Sequence, residues 1–344
     1  MKTTVRMAIL IIAMVLGLSL LLVLARLPQQ KTAVLPEAVT ILEQNQPVSS
    51  PTEERLWQTL EQKAVSGGPP KDGIPAIDHP QYTSAQEADK WLWPQDIVFG
   101  VNYKKFIAAY PQRILVWHEV ANEEINGEKI SITYCPLTGT TFGFKGTIAS
   151  GVSSSFGVSG KLVNSNLIMY DRTTDSYWPQ ILGQAITGPA KGIALEEFPI
   201  IWTTWARWKK KYPDTKVLSK ETGFIRNYDR GGDPYGSYLD DDRGYYSSDY
   251  VLFRPINTDN RLAPKTVVVG VRDKKGNAAA VLKDKLRKEK KLEVLLGEVA
   301  VVITYDADLD APEAKIKKTG DWLYSVEAMW FSWAGFYPAT KLLD

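Results

Sequence analysis

The side chains best suited to chemistry lie in residues 117–144, WHEVANEEINGEKISITYCPLTGTTFGF. This segment holds the only cysteine of the chain, Cys135, and one of its two histidines, His118. In residues 129–134 apolar and polar side chains alternate with the two-residue period of a half-buried strand, and Pro136 ends that strand. The glycine-containing turn and the aromatic residues that follow predict a hairpin with Cys135 at a strand end.

Two kinds of site could use this pair of residues. In a mononuclear metal site, Cys135 would bind as thiolate, His118 as imidazole and Met169 as thioether, and soft ligands of this kind favour copper. Alternatively, Cys135 is a nucleophile that His118 activates as a base, while backbone N–H groups of residues 138–140 receive an oxyanion. Both sites need the sulfur and the imidazole in direct contact or bridged by one atom.

A third hypothesis is a non-enzymatic binding module for a carbohydrate or another cell-envelope ligand. Such a site combines aromatic rings with a few polar groups that fix the orientation of the ligand. The candidate side chains are Thr138, Thr140, Asn164, Asn166, Tyr170, Asp171, Arg172 and Trp178. Asp240, Asp241 and Asp242 could contribute, although an acidic loop without the spacing of a calcium site is more simply a solvated one. Arg172 beside Asp171 could equally form a structural ion pair.

Composition excludes several classes of protein. The chain has 344 residues, of which 44% are hydrophobic and 23% charged, and this balance is typical of a folded globular protein. Lysine and arginine number 41 against 39 acidic residues, a net charge of +2, so no concentrated basic surface for nucleic acid is expected. The eleven tryptophans and sixteen tyrosines predict large aromatic cores, with a stacking surface for flat ligands as the alternative.

Residues 7–25 form an uncharged apolar stretch near the amino terminus. In helical conformation this stretch spans about 28 Å, close to the hydrocarbon thickness of a bilayer. We therefore predict an uncleaved transmembrane anchor, with a cleaved signal peptide as the alternative. Lys2 and Arg6 favour a cytoplasmic amino terminus, which places residues 27–344 outside the cytoplasm, in the periplasm or at the cell surface.

An internal repeat organises the remainder of the chain. GVNYKKFIAA at 100–109 recurs as GVRDKKGNAA at 270–279, with six of ten positions identical, and Gly127-Glu128 recurs as Gly297-Glu298. A second set recurs at identical spacing: Trp205, Trp208, Tyr212, Pro213, Thr215, Lys216 and Leu218 match Trp330, Trp333, Tyr337, Pro338, Thr340, Lys341 and Leu343. Two matches in the same order predict a duplication, with the second copy shorter by about 45 residues.

The repeat distinguishes residues that folding requires from residues that are free to form a site. Residues that both copies share are expected to be those needed for folding. In this alignment Cys135 falls opposite Asp306 and His118 opposite Lys288. Residues 156–180 have no counterpart in the second copy. The sequence therefore places any site in the first half.

We predict a mainly β (α+β) fold of two related β-rich halves, each ending in a Trp-rich helix, behind the transmembrane helix. Strands are expected at 113–117, 129–134, 167–171, 266–271 and 299–305. The chain divides into a cytoplasmic tip and anchor at 1–26, a stalk at 27–80, a first half at 81–220, an inter-repeat segment at 221–264 and a second half at 265–344. A capping box at 50–53 predicts a short helix within the stalk.

Five separate motifs resemble an exported, mostly prokaryotic family. They are WHEVANEEINGEKISITYCPLTGT, FGVSGKLVNSNLIMYDRTTDSYWPQ, TTWARWKKKYPDTKVL, PYGSYLDDD and WFSWAGFYPAT, and the resemblance covers about residues 72–344. The family is that of domain of unknown function 3179, so the resemblance implies an exported domain without implying an activity. Some members carry a second cysteine where this chain has Thr138, and a Cys-x-x-Cys redox or metal pair is therefore not expected here.

Overall fold

The computed structural model describes residues 36–44, 47, 49–239 and 244–343. Within these ranges, no helix has both the length and the apolar character needed to cross a membrane. The predicted transmembrane segment 7–25 and the acidic residues 240–242 lie outside the described residues.

Strands dominate the described part of the chain, which confirms the predicted mainly β class. The helices are α1 (Pro36–Gln44), α2 (Pro51–Gln62), α3 (Ala85–Ala88), α4 (Gln112–Leu115), α5 (Trp205–Lys211), α6 (Lys283–Glu289) and α7 (Trp330–Phe336). The strands up to the first repeated helix are β1 (Val65–Ser66), β2 (Tyr82–Ser84), β3 (Ile97–Tyr103), β4 (Phe106–Pro111), β5 (Val120–Ile125), β6 (Glu128–Cys135), β7 (Thr140–Lys145), β8 (Thr147–Ala149), β9 (Val152–Ser153), β10 (Phe156–Val163), β11 (Asn166–Asp171), β12 (Tyr177–Pro179), β13 (Glu197–Phe198) and β14 (Ile200–Thr204). The later strands are β15 (Lys216–Leu218), β16 (Val267–Arg272), β17 (Ala278–Leu282), β18 (Lys291–Leu296), β19 (Val299–Asp306), β20 (Ala311–Ile316), β21 (Trp322–Leu323), β22 (Ser325–Met329) and β23 (Lys341–Leu343).

Four of the five predicted strands and the predicted stalk helix are present, whereas one predicted strand is wrong. The Ser50 hydroxyl accepts a hydrogen bond from Glu53 N at 3.2 Å, and the Glu53 carboxylate accepts one from Ser50 N at 2.8 Å, which confirms the capping box of α2. The strand predicted at 113–117 is wrong, because these residues form α4 and the turn after it. That apolar run buries Ile114 through one helical turn, and so short a run has no period that separates helix from strand.

Two sheets share one strand order. The sheet of the first half has the order β14-β3-β4-β15, with β2 added at its edge, and that of the second half has the order β22-β16-β17-β23. In both sheets the first three strands are antiparallel neighbours, and the last strand lies parallel to the third. Strands at corresponding positions in the two sheets also follow the same order along the two halves of the chain. Strand β14 corresponds to β22, β3 to β16, β4 to β17 and β15 to β23.

A tryptophan side chain holds each repeated helix on its sheet. Helix α5 follows β14 directly, and α7 follows β22 in the same way. Trp208 Nε1 donates to Thr215 Oγ1 at 2.9 Å, and Trp333 Nε1 donates to Thr340 Oγ1 at 3.0 Å. All four side chains are buried, so each threonine satisfies an indole N–H that has no access to water.

The second strand of each sheet carries a glycine under this indole ring. A Cβ atom at Gly100 would lie 2.2 Å from the ring of Trp208, and one at Gly270 would lie 2.5 Å from the ring of Trp333. Real carbon atoms do not approach so closely, so any larger residue would displace a buried tryptophan. Packing therefore requires glycine at both positions, which explains why both copies of the repeat contain it.

Three-stranded antiparallel layers complete the two halves. Strands β5, β6 and β7 form the layer of the first half, extended by β13, and β18, β19 and β20 form that of the second, extended by β21. Strand β7 lies beside β22 of the other half, while β20 lies beside β14. Strands β7 and β20 hold equivalent positions in the two halves, as do β22 and β14, so these two contacts are equivalent. The halves therefore pack with approximate two-fold symmetry.

The structure shifts the alignment of the halves by one residue after their first hairpin. Gly100 of β3 pairs with Ala109, nine residues later, whereas the equivalent Gly270 of β16 pairs with Ala280, ten residues later. Glu119 and Lys290 hold equivalent positions, both left-handed with φ of 58° and 65°. His118 therefore corresponds to Glu289 and not to Lys288.

Two sheets have no counterpart in the second half. The larger one, which we call the extra sheet, has the order β1-β10-β11-β12, and its strands β10, β11 and β12 lie between β7 and β13 in the chain. The smaller one is the pair β8-β9. Residues 51–66, which the sequence assigns to a stalk, pack against this region. Trp57 of α2 is buried and donates to Gln184 Oε1 at 3.1 Å, and β1 pairs with β10.

The Trp–Thr hydrogen bonds predict equal effects in the two halves. Replacing Thr215 or Thr340 by valine leaves a buried indole N–H unpaired, so each variant should lose about 1–3 kcal/mol of unfolding free energy. Urea unfolding measures the loss, with Thr147→Val on the exposed side of β8 as a control that should change by less than about 0.5 kcal/mol. A Thr215→Val protein as stable as the control would contradict this role.

Candidate functional site

Cys135 lies at the end of β6, where it pairs with Thr140 of β7. Its side chain is fully buried, and its Sγ atom lies 3.7 Å from the carbonyl oxygen of Ser165, to which the thiol donates. Burial, together with the nearby carboxyl group of Glu119, raises the pKa of the Cys135 thiol to about 12. At neutral pH the sulfur is therefore a protonated thiol rather than a thiolate.

His118 is held by two hydrogen bonds that do not involve the cysteine. Its Nδ1 atom donates to the carbonyl oxygen of Pro75 at 2.7 Å, and its Nε2 atom accepts from the hydroxyl of Tyr228 at 2.6 Å. Burial lowers the pKa of His118 to about 4, so the ring is neutral near pH 7. A metal or nucleophilic site shared with Cys135 would require these bonds to break first.

The third predicted metal ligand, Met169, lies in β11 between two neighbouring strands. It pairs with Val158 of β10 and Trp178 of β12, and its side chain is fully buried in the core. Within the part of the chain that the structure describes, no group of three or more His, Cys, Asp or Glu side chains is placed to hold a metal ion. The copper site thus stays a prediction that elemental analysis can test.

The predicted ligand-binding residues Thr138, Thr140 and Asn166 lie close together, and their polar groups form hydrogen bonds with one another. The hydroxyls of Thr138 and Thr140 lie 2.8 Å apart, and Thr140 donates to Gln180 Oε1 at 2.7 Å. Asn166 Nδ2 donates to the same oxygen at 2.9 Å, and Gln180 Nε2 donates to Thr133 Oγ1 at 2.8 Å. This buried network joins the turn after Cys135 to the extra sheet.

Tyr170 and Arg172 bind the segment that precedes the first half. The Tyr170 hydroxyl donates to Asp72 Oδ2 at 2.5 Å, and Arg172 Nη1 lies 2.5 Å from Asp78 Oδ1. The structural ion pair expected for Arg172 therefore forms with Asp78 rather than with its sequence neighbour Asp171. These contacts attach the amino-terminal segment to β11.

Asp171 and Trp178 stabilise the turn between β11 and β12. The Asp171 carboxylate accepts hydrogen bonds from Thr174 N at 2.6 Å and from Trp178 Nε1 at 3.1 Å. Trp178 is fully buried, and its ring meets Phe156 edge to face. Neither side chain is available to a ligand in this arrangement.

A cleft of 460 Å³ opens between the two halves, next to the turn that follows Cys135. This volume falls within the range of about 300–1,000 Å³ typical of small-molecule sites. The first half and the inter-repeat segment contribute Gly139, Trp202 and Tyr238, and the second half contributes Lys283, Asp284, Arg287, Glu327 and Met329. The cleft is therefore a candidate site of a suitable size.

One wall of the cleft is aromatic and rigidly held. The rings of Trp202 and Tyr238 meet edge to face, with centroids 5.4 Å apart and planes at 89°. The Tyr238 hydroxyl lies 2.9 Å from that of Tyr134, and the Tyr238 ring stacks on Tyr246 with centroids 3.7 Å apart. These contacts fix the orientation of the aromatic surface before any ligand binds.

The opposite wall is polar and balanced in charge. Lys283 Nζ lies 2.8 Å from Glu327 Oε1 and 3.6 Å from Asp310 Oδ2. Arg287 Nε lies 3.0 Å from Asp310 Oδ1, and its Nη1 atom binds Asp284. Each cation is therefore paired within the protein, and the wall presents alternating donors and acceptors without a large excess of either sign.

Sequence reasoning missed this cleft, although the repeat contains a signal for it. Trp202 and Glu327 each stand three residues before the repeated helical tryptophans, Trp205 and Trp330, so they hold equivalent positions in β14 and β22. Both line the cleft. Equivalent positions occupied by different residues mark places that the common scaffold does not constrain.

The buried thiol should be unreactive in the folded protein. With the pKa of Cys135 near 12, the thiolate fraction at pH 7.5 falls by about a thousandfold relative to an exposed cysteine. Labelling with a disulfide reagent should be slower than in the urea-unfolded chain by about that factor. Fast labelling that slows in a His118→Ala variant would instead support the nucleophile hypothesis.

Glu119 should make stability fall as pH rises. The side chain is buried, no described group donates a hydrogen bond to its carboxylate, and burial raises its pKa to about 8. Between about pH 4.5 and 8 the unfolded chain releases this proton while the folded chain keeps it, so unfolding becomes easier by on the order of a few kcal/mol. Glu123, with its pKa also raised to about 8, acts in the same direction.

Urea unfolding between pH 5 and pH 8 measures this dependence. Glu119→Gln should reduce its slope, whereas Glu124→Gln, at an exposed position of the strand β5 that follows Glu119, should leave it unchanged. An identical slope in Glu119→Gln and in the unmodified chain would show that the carboxyl ionises freely in the folded state.

Comparison with known proteins identifies the family without identifying an activity. No curated protein and no solved structure matches the chain. One family model matches residues 71–323, which include the turn after Cys135 and the cleft residues up to Arg287, whereas β22, with the cleft residues Glu327 and Met329, and β23 lie beyond the match. The chain therefore belongs to the family described as protein of unknown function (DUF3179).

Proposed function

We propose that this chain is a membrane-anchored extracytoplasmic protein that binds a carbohydrate fragment of the cell envelope in the cleft between its halves. The observation that carries the proposal is the aromatic wall of Trp202 and Tyr238 beside the paired charges of Lys283 and Glu327. Aromatic faces bind the apolar faces of sugar rings, while a few fixed polar groups select hydroxyls. The cleft needs no reactive group for this role.

The charge balance of the polar wall favours a neutral, polyhydroxylated ligand. Lys283 and Arg287 are already paired with carboxylates, so an anionic ligand would have to compete with Glu327 and Asp310 for them. A sugar hydroxyl can instead donate to a carboxylate and accept from an ammonium or guanidinium group without breaking the pair. We therefore favour a saccharide over a phosphate or a carboxylate ligand.

Duplication explains why the cleft lies where it does. The common strand order, the two Trp–Thr hydrogen bonds and the two glycines under the indole rings support an origin of both halves from one ancestral unit. Two-fold packing places equivalent strands, β14 and β22, on the walls of one cleft. The ancestral surfaces could then diverge, with Trp202 on one side and Glu327 on the other.

The apolar segment 7–25 supplies the proposed membrane anchor. Its length and lack of charge suit a spanning helix, and Lys2 and Arg6 favour a cytoplasmic amino terminus. The cleft would then face the periplasm or the cell exterior, where envelope saccharides are present.

Saccharide binding by the full chain in detergent tests the proposal. A glycan array selects the ligand, and titration calorimetry with the neutral disaccharide N,N′-diacetylchitobiose provides a defined probe. Removing the ring in Trp202→Ala should weaken binding by about tenfold or more, because aromatic anchors dominate such sites.

Trp93→Ala is the matched control, since this tryptophan is half exposed and lies outside the cleft. Thermal unfolding of both variants separates lost contacts from lost folding. Equal affinity of Trp202→Ala and Trp93→Ala for every bound glycan would place the ligand elsewhere and overturn the proposal.

A further inference from the structure

We propose that a second surface of this protein, formed around residues 220–230, docks on a membrane rich in anionic phospholipid. The proposal uses the membrane anchor of the proposed function as a tether, but it is independent of the cleft and its ligand. We call this surface the tryptophan face and define it by five residues. They are Trp91, Trp93, Trp117, Phe224 and Ile225.

An apolar tip projects from this face into solvent. Ile225 is 97% exposed and its neighbour Phe224 is 41% exposed, directly after Gly223, whose φ of 83° turns the chain outward. A large aliphatic side chain exposed to this extent forgoes about 1.5–3 kcal/mol of burial free energy. Adjacent exposed apolar side chains that are rimmed by polar residues mark protein or membrane interaction sites.

The base of the tip is held firmly by the body. The hydroxyl of Tyr228 lies 2.6 Å from that of Thr222 and donates to Nε2 of the buried His118. Trp117 Nε1 donates to the carbonyl oxygen of Asn227 at 3.0 Å. The loop is thus tied at both of its ends, and Ile225 is presented at a defined place rather than on a free strand.

Basic and aromatic side chains surround the tip. The Arg230 guanidinium lies 3.7 Å from the ring centroid of Trp93, and Lys220 Nζ lies 5.2 Å from that of Trp91. Lys220 is paired with Asp229, but neither Arg226 nor Arg230 forms an ion pair with a carboxylate of the described residues. Glu221 is the remaining exposed acid of this loop, so the cations are in excess.

These features fit a lipid surface better than a protein partner. The tip is convex and carries only two apolar side chains, whereas a protein partner of this size would need a broad, shape-matched patch. Tryptophans that keep one edge in water are the residues typical of the membrane interface, and each nearby cation attracts anionic headgroups. The tether suits this contact, because residues 27–35, between the proposed anchor and α1, span at most about 30 Å even when fully extended.

Depth-dependent quenching in reconstituted vesicles tests the inference on the full chain. Ile225→Cys provides a labelling site for an environment-sensitive fluorophore, and the fully buried Cys135 should stay unlabelled. In phosphatidylglycerol–phosphatidylethanolamine vesicles that contain a spin-labelled phospholipid, the label at 225 should lose about half of its fluorescence, as expected for a group within 5–10 Å of the acyl boundary. Leu295→Cys, 53% exposed on β18, is the control and should be quenched little.

Charge reversal in Arg226→Glu with Arg230→Glu, or vesicles of phosphatidylcholine alone, should abolish most of the quenching at 225. Equal quenching at 225 and 295 would overturn the inference. So would a label at 225 that is shielded from aqueous iodide without being quenched by lipid, because this result indicates a protein partner. A separate measurement tests the anchor: release of the chain from membranes by alkaline carbonate would disprove the membrane anchor but not the docking surface. The docking surface would still be supported if added anionic vesicles quench the label at 225.

Discussion

The fold depends on one packing interaction that occurs twice, in which a buried indole ring packs against a glycine of a strand. Trp208 covers Gly100 and Trp333 covers Gly270, and each ring is fixed by a threonine hydroxyl on the chain just after its helix. This contact sets the position of the helix relative to the sheet. Because β14 and β22 run directly into these helices, it also sets the positions of the side chains that those strands carry into the cleft.

The sequence predicts this scaffold well because packing restricts the residues that can occupy it. No residue but glycine fits beneath the rings, so the repeated Gly, Trp and Thr positions are visible in both copies. Register is harder to predict, since a single extra residue between β16 and β17 leaves the local pattern intact while it shifts the alignment of the residues that follow. The assignment of His118 failed for this reason. The α4 segment failed because Ile114 and its neighbours are buried in either conformation.

The candidate site was less predictable because residue type does not report what a side chain contacts. Cys135 and His118 look reactive in the sequence, but burial favours the neutral form of each. Asn166 and Thr140 look like ligand-binding residues, but they satisfy one another within a closed network. The cleft residues come from segments far apart in the chain, so only the packing of the two halves brings Trp202 near Glu327.

The position of the loop that carries Ile225 depends on a buried neutral group. His118 can accept from Tyr228 while it donates to Pro75 only if its ring carries a single proton. Since burial holds its pKa near 4, this arrangement persists throughout the neutral range and keeps the loop of Ile225 attached to the body. Protonation at lower pH would replace the acceptor by a second donor and remove the hydrogen bond from Tyr228. The histidine thus positions a surface loop by remaining uncharged, which accounts for its burial without assigning it any catalytic role.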